Sequence, residues 1–268
     1  RQRALGQAAL PAGLGQKDAE GFCIHGSHLF LAFSIARRGQ KVNRRSVYLP
    51  VGLAERGCFV VYWAHRTQGG ITVERNEWLR LWKEEENAAH IHGWDFSHIH
   101  GRYTEETDLP WSYRDVVLQY LRPEMQLLDV DTGGGEFLLS LGHPPARTAA
   151  TEAYPPNVRL CRERLLPLGV GFREGDGGGR LPFADAAFDC IINRHGDFQA
   201  QETGRLLKPG GLFITEQVGA QNDRELVELL LGPTPLPYPG LTLAAVCRQF
   251  REAGFTILQA QECFRPIR

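Results

Sequence analysis

The sequence predicts an α/β fold, a doubly wound, Rossmann-like, mainly parallel sheet built from the C-terminal part of the chain. Two observations carry that prediction. From Leu127 onward, short apolar runs alternate with segments of helical period, the pattern of parallel strands covered on both faces. The first of these strands, Leu127-Leu128-Asp129-Val130, runs into Asp131-Thr132-Gly133-Gly134-Gly135-Glu136 before an apolar helix begins at Phe137. A strand, a glycine turn and a helix bring backbone N–H groups close to a ligand with no Cβ in the way. They also set a helix N-terminus beside it.

Before that strand the chain is harder to read. Residues 1–73 are assigned to an N-terminal extension, because Gly13, Gly15, Gly21, Gly26 and Gly39 interrupt any long helix. Phe59–Trp63 reads as a strand. Arg37, Arg38, Lys41, Arg44 and Arg45 read as a solvated loop. The apolar run Leu29–Ala36 is too short to span a bilayer, and no cleavage site follows it, so neither a membrane anchor nor a signal peptide is expected. Residues 74–110 are assigned to a helical lid. Trp78, Leu79 and Trp82 lie at helical spacing and predict an amphipathic helix whose aromatic face enters a core. His90, His92, His98 and His100 follow, without a cysteine or an H-E-x-x-H spacing. No metal site is expected there, and the stretch is read as part of the lid.

Residues 111–268 form the third segment. Ser112 is a candidate N-cap for a helix with Val116, Val117, Tyr120 and Leu121 on one face, stopped by Pro123. After the glycine loop come strands over 147–152, 170–174, 188–193, 212–217 and 255–260. Helices are predicted over 155–166, 199–207, 222–231 and 243–253, and Lys208-Pro209-Gly210-Gly211 reads as a turn.

Composition bounds the partners. The chain has 268 residues, 43% apolar and 23% charged, and a formal net charge of −1. That gives no overall attraction to nucleic acid or anionic membrane, so a small-molecule ligand is favoured over RNA. The six cysteines include no C-x-x-C pair, which suggests a reducing compartment, the cytoplasm.

Three acidic residues stand at matching places. Asp129 ends the first strand, Glu152 the second, and Asp176 follows the third beside Gly177. A carboxylate at the second position accepts ribose hydroxyls, and one at the third accepts an adenine amino group. With the glycine loop they describe a site for an adenosine-containing ligand. On the segments Leu128–Gly135, Thr151–Tyr154, Gly175-Asp176, Leu181–Phe183, Phe188–Asn193 and Leu206–Gly211, the chain resembles the class I S-adenosylmethionine-dependent methyltransferases over residues 111–262. Trp94–His98 with Asn193–His195 is similar to bacterial members of unassigned substrate.

The resemblance implies S-adenosyl-L-methionine as methyl donor and in-line transfer to an acceptor. Gly133, Gly134 and Gly135 would face its methionine part, and Asp129 its amino group. Glu152 would bind the ribose; Ala153 and Tyr154 would flank the adenine, and Asp176 with Gly177 would bind its amino group. Asn193, Arg194 and His195 would lie beside the methyl group. His195 is the candidate base, since its ordinary pKa lies near neutrality.

Two departures stand out. Asp131 occupies the position of the family's first loop glycine, where positive φ or close approach to the donor would make a side chain costly. The family's sheet also has a last antiparallel strand for which no sequence follows Phe264–Arg268, so a sheet short of that strand, or a truncated chain, is expected. Two other readings follow: a degenerate binding protein without activity, and a nicotinamide-dependent oxidoreductase. The second is disfavoured because Asp131, Gly133 and Glu136 do not make G-x-G-x-x-G.

Overall fold

The structure, a computed structural model, describes residues 24–35, 75–88 and 109–267. The predicted strand at 59–63, the basic loop and the histidine stretch lie outside the described residues. Among those described, seven strands form one sheet: β1 (Ile24–Ile35), β2 (Leu127–Val130), β3 (Thr148–Glu152), β4 (Gly171–Glu174), β5 (Phe188–Arg194), β6 (Leu207–Val218) and β7 (Phe255–Ile267). Their order is β4-β3-β2-β5-β6-β1-β7. The pairs β3–β4, β2–β3, β2–β5 and β5–β6 are parallel, as the alternating pattern predicts. Strand order reverses between β2 and β5, so a crevice opens at their C-terminal ends.

Apolar side chains alternate across the sheet and split the core in two. Leu127, Cys190, Ile192 and Ile214 point to one side, with Val117 of α2 (Tyr113–Tyr120), Leu138 of α3 (Glu136–Ser140) and Val158 and Cys161 of α4 (Pro155–Arg164). Leu128, Ile191 and Phe213 point to the other, with Ala200 and Leu206 of α5 (Ala200–Leu206) and Val246 and Phe250 of α7 (Leu243–Glu252). Phe250 anchors that layer, stacked on Phe213 at 5.2 Å and meeting Phe255 edge-on at 4.9 Å. The Ser112 cap forms as predicted, its Oγ accepting from Asp115 N at 3.3 Å.

Three sequence expectations are changed. The antiparallel place next to β6 is filled, although β7 is the last element described. β1, from the segment assigned to an extension, lies between β6 and β7 and is antiparallel to both. Leu29–Phe33 is a continuous apolar run, but its partners are more than 170 positions away, which no local pattern reveals. The turn at Lys208–Gly211 instead lies inside β6. There the register slips between Phe188↔Leu207 and Cys190↔Leu212, with Gly210 at φ 82°. Finally, α1 (Arg75–Ala88) is a helix, but Trp78 and Trp82 pair with each other at 6.2 Å and stay exposed rather than entering a core. Helix α6 (Arg224–Leu231) leaves Leu229 and Leu231 exposed.

Candidate functional site

The glycine loop joins β2 to α3 with Gly133 and Gly135 both at positive φ (68° and 80°). A Cβ on Gly135 would come within 2.8 Å of the Leu165 side chain, so that position is closed to larger residues. The loop is braced from β3. Glu152, buried at the end of that strand, accepts from Gly133 N through Oε2 at 2.8 Å, and from Ala153 N and Tyr154 N through Oε1, both at 2.8 Å. Asn157 Nδ2 approaches Oε2 at 3.4 Å. The same carboxylate predicted for the ribose therefore also ties the two loops together.

Asp129 is buried at the end of β2, its Oδ2 accepting from the Thr132 hydroxyl at 2.6 Å. Burial pushes its pKa up to about 7; the Thr132 bond opposes this, and the neighbouring charges of Asp131 and Glu152 add to it. Asp131 takes the left-handed conformation, φ 56°, that the displaced glycine would have held. Aspartate tolerates that region better than most residues. Its two oxygens both lie 3.3 Å from Gly177 N, and its Cβ lies where a Cβ on Gly196 would intrude, at 2.6 Å. The glycine at 196 thus makes room for the side chain at 131. Burial, and after it the charges of Glu152, Asp176 and Asp197, raise the Asp131 pKa to about 7, against the Gly177 bond.

The sign for stability follows from that shift. A carboxyl whose folded pKa is raised contributes stability in full below its unfolded value near 4, and loses it as pH rises through about 7. Replacing Asp131 with Asn should therefore flatten the pH dependence of the ligand-free protein in that window by on the order of 1 kcal/mol per pH unit. Urea unfolding of both proteins at pH 5 and pH 7 checks this, and parallel slopes would contradict it.

Ala153 and Tyr154 are exposed beside the loop, and Asp176 is exposed with its Oδ1 accepting from Gly178 N at 2.7 Å. Asn193 stands apart from the other predicted residues. It is fully buried, its Nδ2 donating to Val130 O at 3.1 Å and Asp197 O at 3.3 Å. Its Oδ1 accepts from Thr215 Oγ1 at 3.2 Å and Gln217 Nε2 at 2.5 Å. The side chain is committed to bracing the loop after β5. That loop sets His195 at φ 59°, its N–H donating to Glu216 O at 2.9 Å. The imidazole is mostly buried, with Nε2 3.8 Å from Glu216 Oε1.

Glu216 and Trp111 are site residues that the motifs do not single out. Glu216 is buried near the end of β6, accepting from Trp111 Nε1 at 2.7 Å through Oε2 and from Arg194 Nε at 3.0 Å through Oε1. The signal available was Thr215-Glu216-Gln217, three polar residues ending an apolar strand next to the switch in strand order.

The strand ends thus gather Asp129, Asp131, Glu152 and Asp176 around the glycine loop. A cation carrying ammonium, ribose hydroxyl and adenine amino donors fits that set by charge and by hydrogen-bond sense, so the residues suit S-adenosylmethionine. Among the described residues, no group of three or more His, Cys, Asp or Glu is placed to hold a metal ion.

The sequence profile of a family described as a methyltransferase domain matches residues 128–215. The phthiotriol/phenolphthiotriol dimycocerosates methyltransferase of Mycobacterium tuberculosis is 31% identical over 120 residues, covering 41% of this chain and 44% of that protein. The demethylmenaquinone methyltransferase of Thermus thermophilus is 32% identical over 118 residues, covering 40% and 53%. The fatty-acid O-methyltransferase of Mycolicibacterium smegmatis is 30% identical over 111 residues, covering 39% and 40%. The matches span about half or less of these relatives.

Proposed function

We propose that the chain carries a class I S-adenosylmethionine-dependent methyltransferase domain and transfers the methyl group of S-adenosyl-L-methionine to a small, largely apolar acceptor in the cytoplasm. The observation that carries this reading is the convergence of Asp129, Asp131, Glu152 and Asp176 on one glycine loop at the switch in strand order. Relatives named for a fatty acid and for demethylmenaquinone support an apolar acceptor over RNA. Among the described residues, no helix is long and apolar enough to cross a membrane.

S-adenosylmethionine supplies a methyl group already activated on a sulfonium, so the protein's part is positioning. Glu152 holds the ribose while keeping the Gly133 and Tyr154 amides in place. Asp129 faces the donor's ammonium, Ala153 and Tyr154 flank the adenine, and Asp176 with Gly177 receives its amino group. Gly133, Gly134 and Gly135 present backbone to the methionine part. Asn193 acts indirectly, by fixing the loop that carries His195. His195 accepts the acceptor's proton at Nε2, and Glu216 stabilises the imidazolium that results.

One observation favours a second reading, a binding protein without activity. The Asp131 carboxylate occupies space between Gly177 and Gly196 that a loop glycine would leave open. Transfer of a labelled methyl group to a hydroquinone and to a fatty acid tests both. Turnover supports the enzyme. Donor binding without turnover on any acceptor, or turnover only after Asp131→Gly, supports the degenerate protein. Tight quenching by reduced nicotinamide cofactor would replace both.

A further inference from the structure

We infer that Arg194 is the carboxylate-binding residue of the donor site, so that Asp129 and Arg194 together receive the amino-acid end of S-adenosylmethionine. This rests on the methyltransferase reading and goes beyond it, since the sequence motifs place Arg194 only beside the methyl group.

Two contacts fix the guanidinium. Nε donates to Glu216 Oε1 at 3.0 Å. Cζ lies 5.7 Å from the centroid of Phe137, in the first turn of the helix that follows the glycine loop. Both supports are themselves held. Glu216 is buried and bonded to Trp111, and the Phe137 ring stacks on Tyr113 at 5.1 Å and 28°. The Tyr113 hydroxyl lies 3.1 Å from Asn193 O and 3.0 Å from Ile214 O.

An arginine so anchored would be expected to be buried, yet 43% of its side chain is exposed. The described residues bond it only at Nε, which leaves the terminal N–H pair, the edge of the fork that matches a carboxylate. Its charge also reaches Asp129, where it works against the effect of burial on that carboxyl. A carboxylate ending β2 and a guanidinium held against Phe137, within electrostatic reach of each other, are the complement of a zwitterionic amino-acid head. The rigid mounting removes most of the entropy that a surface arginine would lose on binding.

Calorimetric titration with S-adenosylmethionine and with its decarboxylated form, on wild type, Arg194→Lys and Arg194→Gln, tests this. Wild type should bind the intact donor roughly 10- to 100-fold tighter than the decarboxylated one. Arg194→Gln should lose that preference while binding the decarboxylated donor as wild type does, and Arg194→Lys should fall between. Equal weakening of both ligands would make Arg194 a brace and overturn the inference. So would a wild type that does not discriminate, or a Gln variant that keeps the full preference. If the Gln variant keeps that preference but loses benzoate binding to the donor-loaded protein, the carboxylate belongs to the acceptor and the inference is again overturned. These outcomes leave the methyltransferase reading standing, whereas a wild type that binds neither donor removes both.

Discussion

Deleting residues 1–35 is expected to leave a chain that does not reach a soluble native state. β1 is the only hydrogen-bonded neighbour of β7 among the described strands, and it separates β7 from β6. Its loss would strip Leu212–Val218 of one ladder and Phe255–Ile267 of its only one. The long apolar edge left on β6 would be a template for aggregation. Phe255 would also lose its fixed place against Phe250, loosening the layer in which Phe250 and Phe213 stack. A milder form of the experiment is Leu31→Pro. Leu31 pairs with Thr215 on one side and Ala260 on the other, so proline removes a central donor and should cost about 3 kcal/mol or more. Sedimentation and far-UV circular dichroism of the truncated chain, and urea unfolding of the proline variant, check both. A truncated protein with the cooperative transition of wild type would show that β1 is not part of the fold.

The second large effect is expected at Glu152. Its carboxylate satisfies the Gly133, Ala153 and Tyr154 amides at once. Glu152→Ala leaves these donors without their acceptor, the Gly133 N–H in a buried loop. At about 1–3 kcal/mol for a buried unsatisfied group, with the more exposed ones rehydrating, the loss should be about 3 kcal/mol. In a domain of this size that lowers Tm by roughly 6–12 °C. Donor binding should fall further than stability, because the variant removes both the ribose acceptor and the brace of the glycine loop. Thermal unfolding with and without S-adenosylmethionine separates the two effects. If the variant is destabilised but the donor still raises its Tm as in wild type, Glu152 is structural only.

The parts of the fold legible in the sequence are those whose cause is local. Alternating runs such as Phe188–Asn193 reveal strands covered on both faces, and Gly133–Gly135 reveal a turn that only glycine makes easily. At Asp131 the sequence left positive φ or close approach to the donor open as the reason for the family's glycine, and the structure has the residue at φ 56°. What could not be read depends on distant partners. The Leu29–Phe33 run is an ordinary apolar segment until β6 and β7 are there to pair with it. The Pro-Gly-Gly of Lys208–Gly211 follows turn chemistry, but the pairing of Leu207 with Phe188 draws it into a bulged strand. Asn193 was expected beside the methyl group from the family resemblance; its partners Val130, Asp197, Thr215 and Gln217 converge only in the fold. Glu216 lacked a motif for the same reason, since Trp111 and Arg194 reach it from two other parts of the chain.

The most direct test of a donor site at the glycine loop is calorimetric titration of wild type and Glu152→Gln with S-adenosylmethionine. The predicted result is saturable binding of one equivalent to wild type, and at least about tenfold weaker binding to a Gln variant that keeps the native circular dichroism. No binding to wild type, or equal affinity in the two proteins, would contradict it.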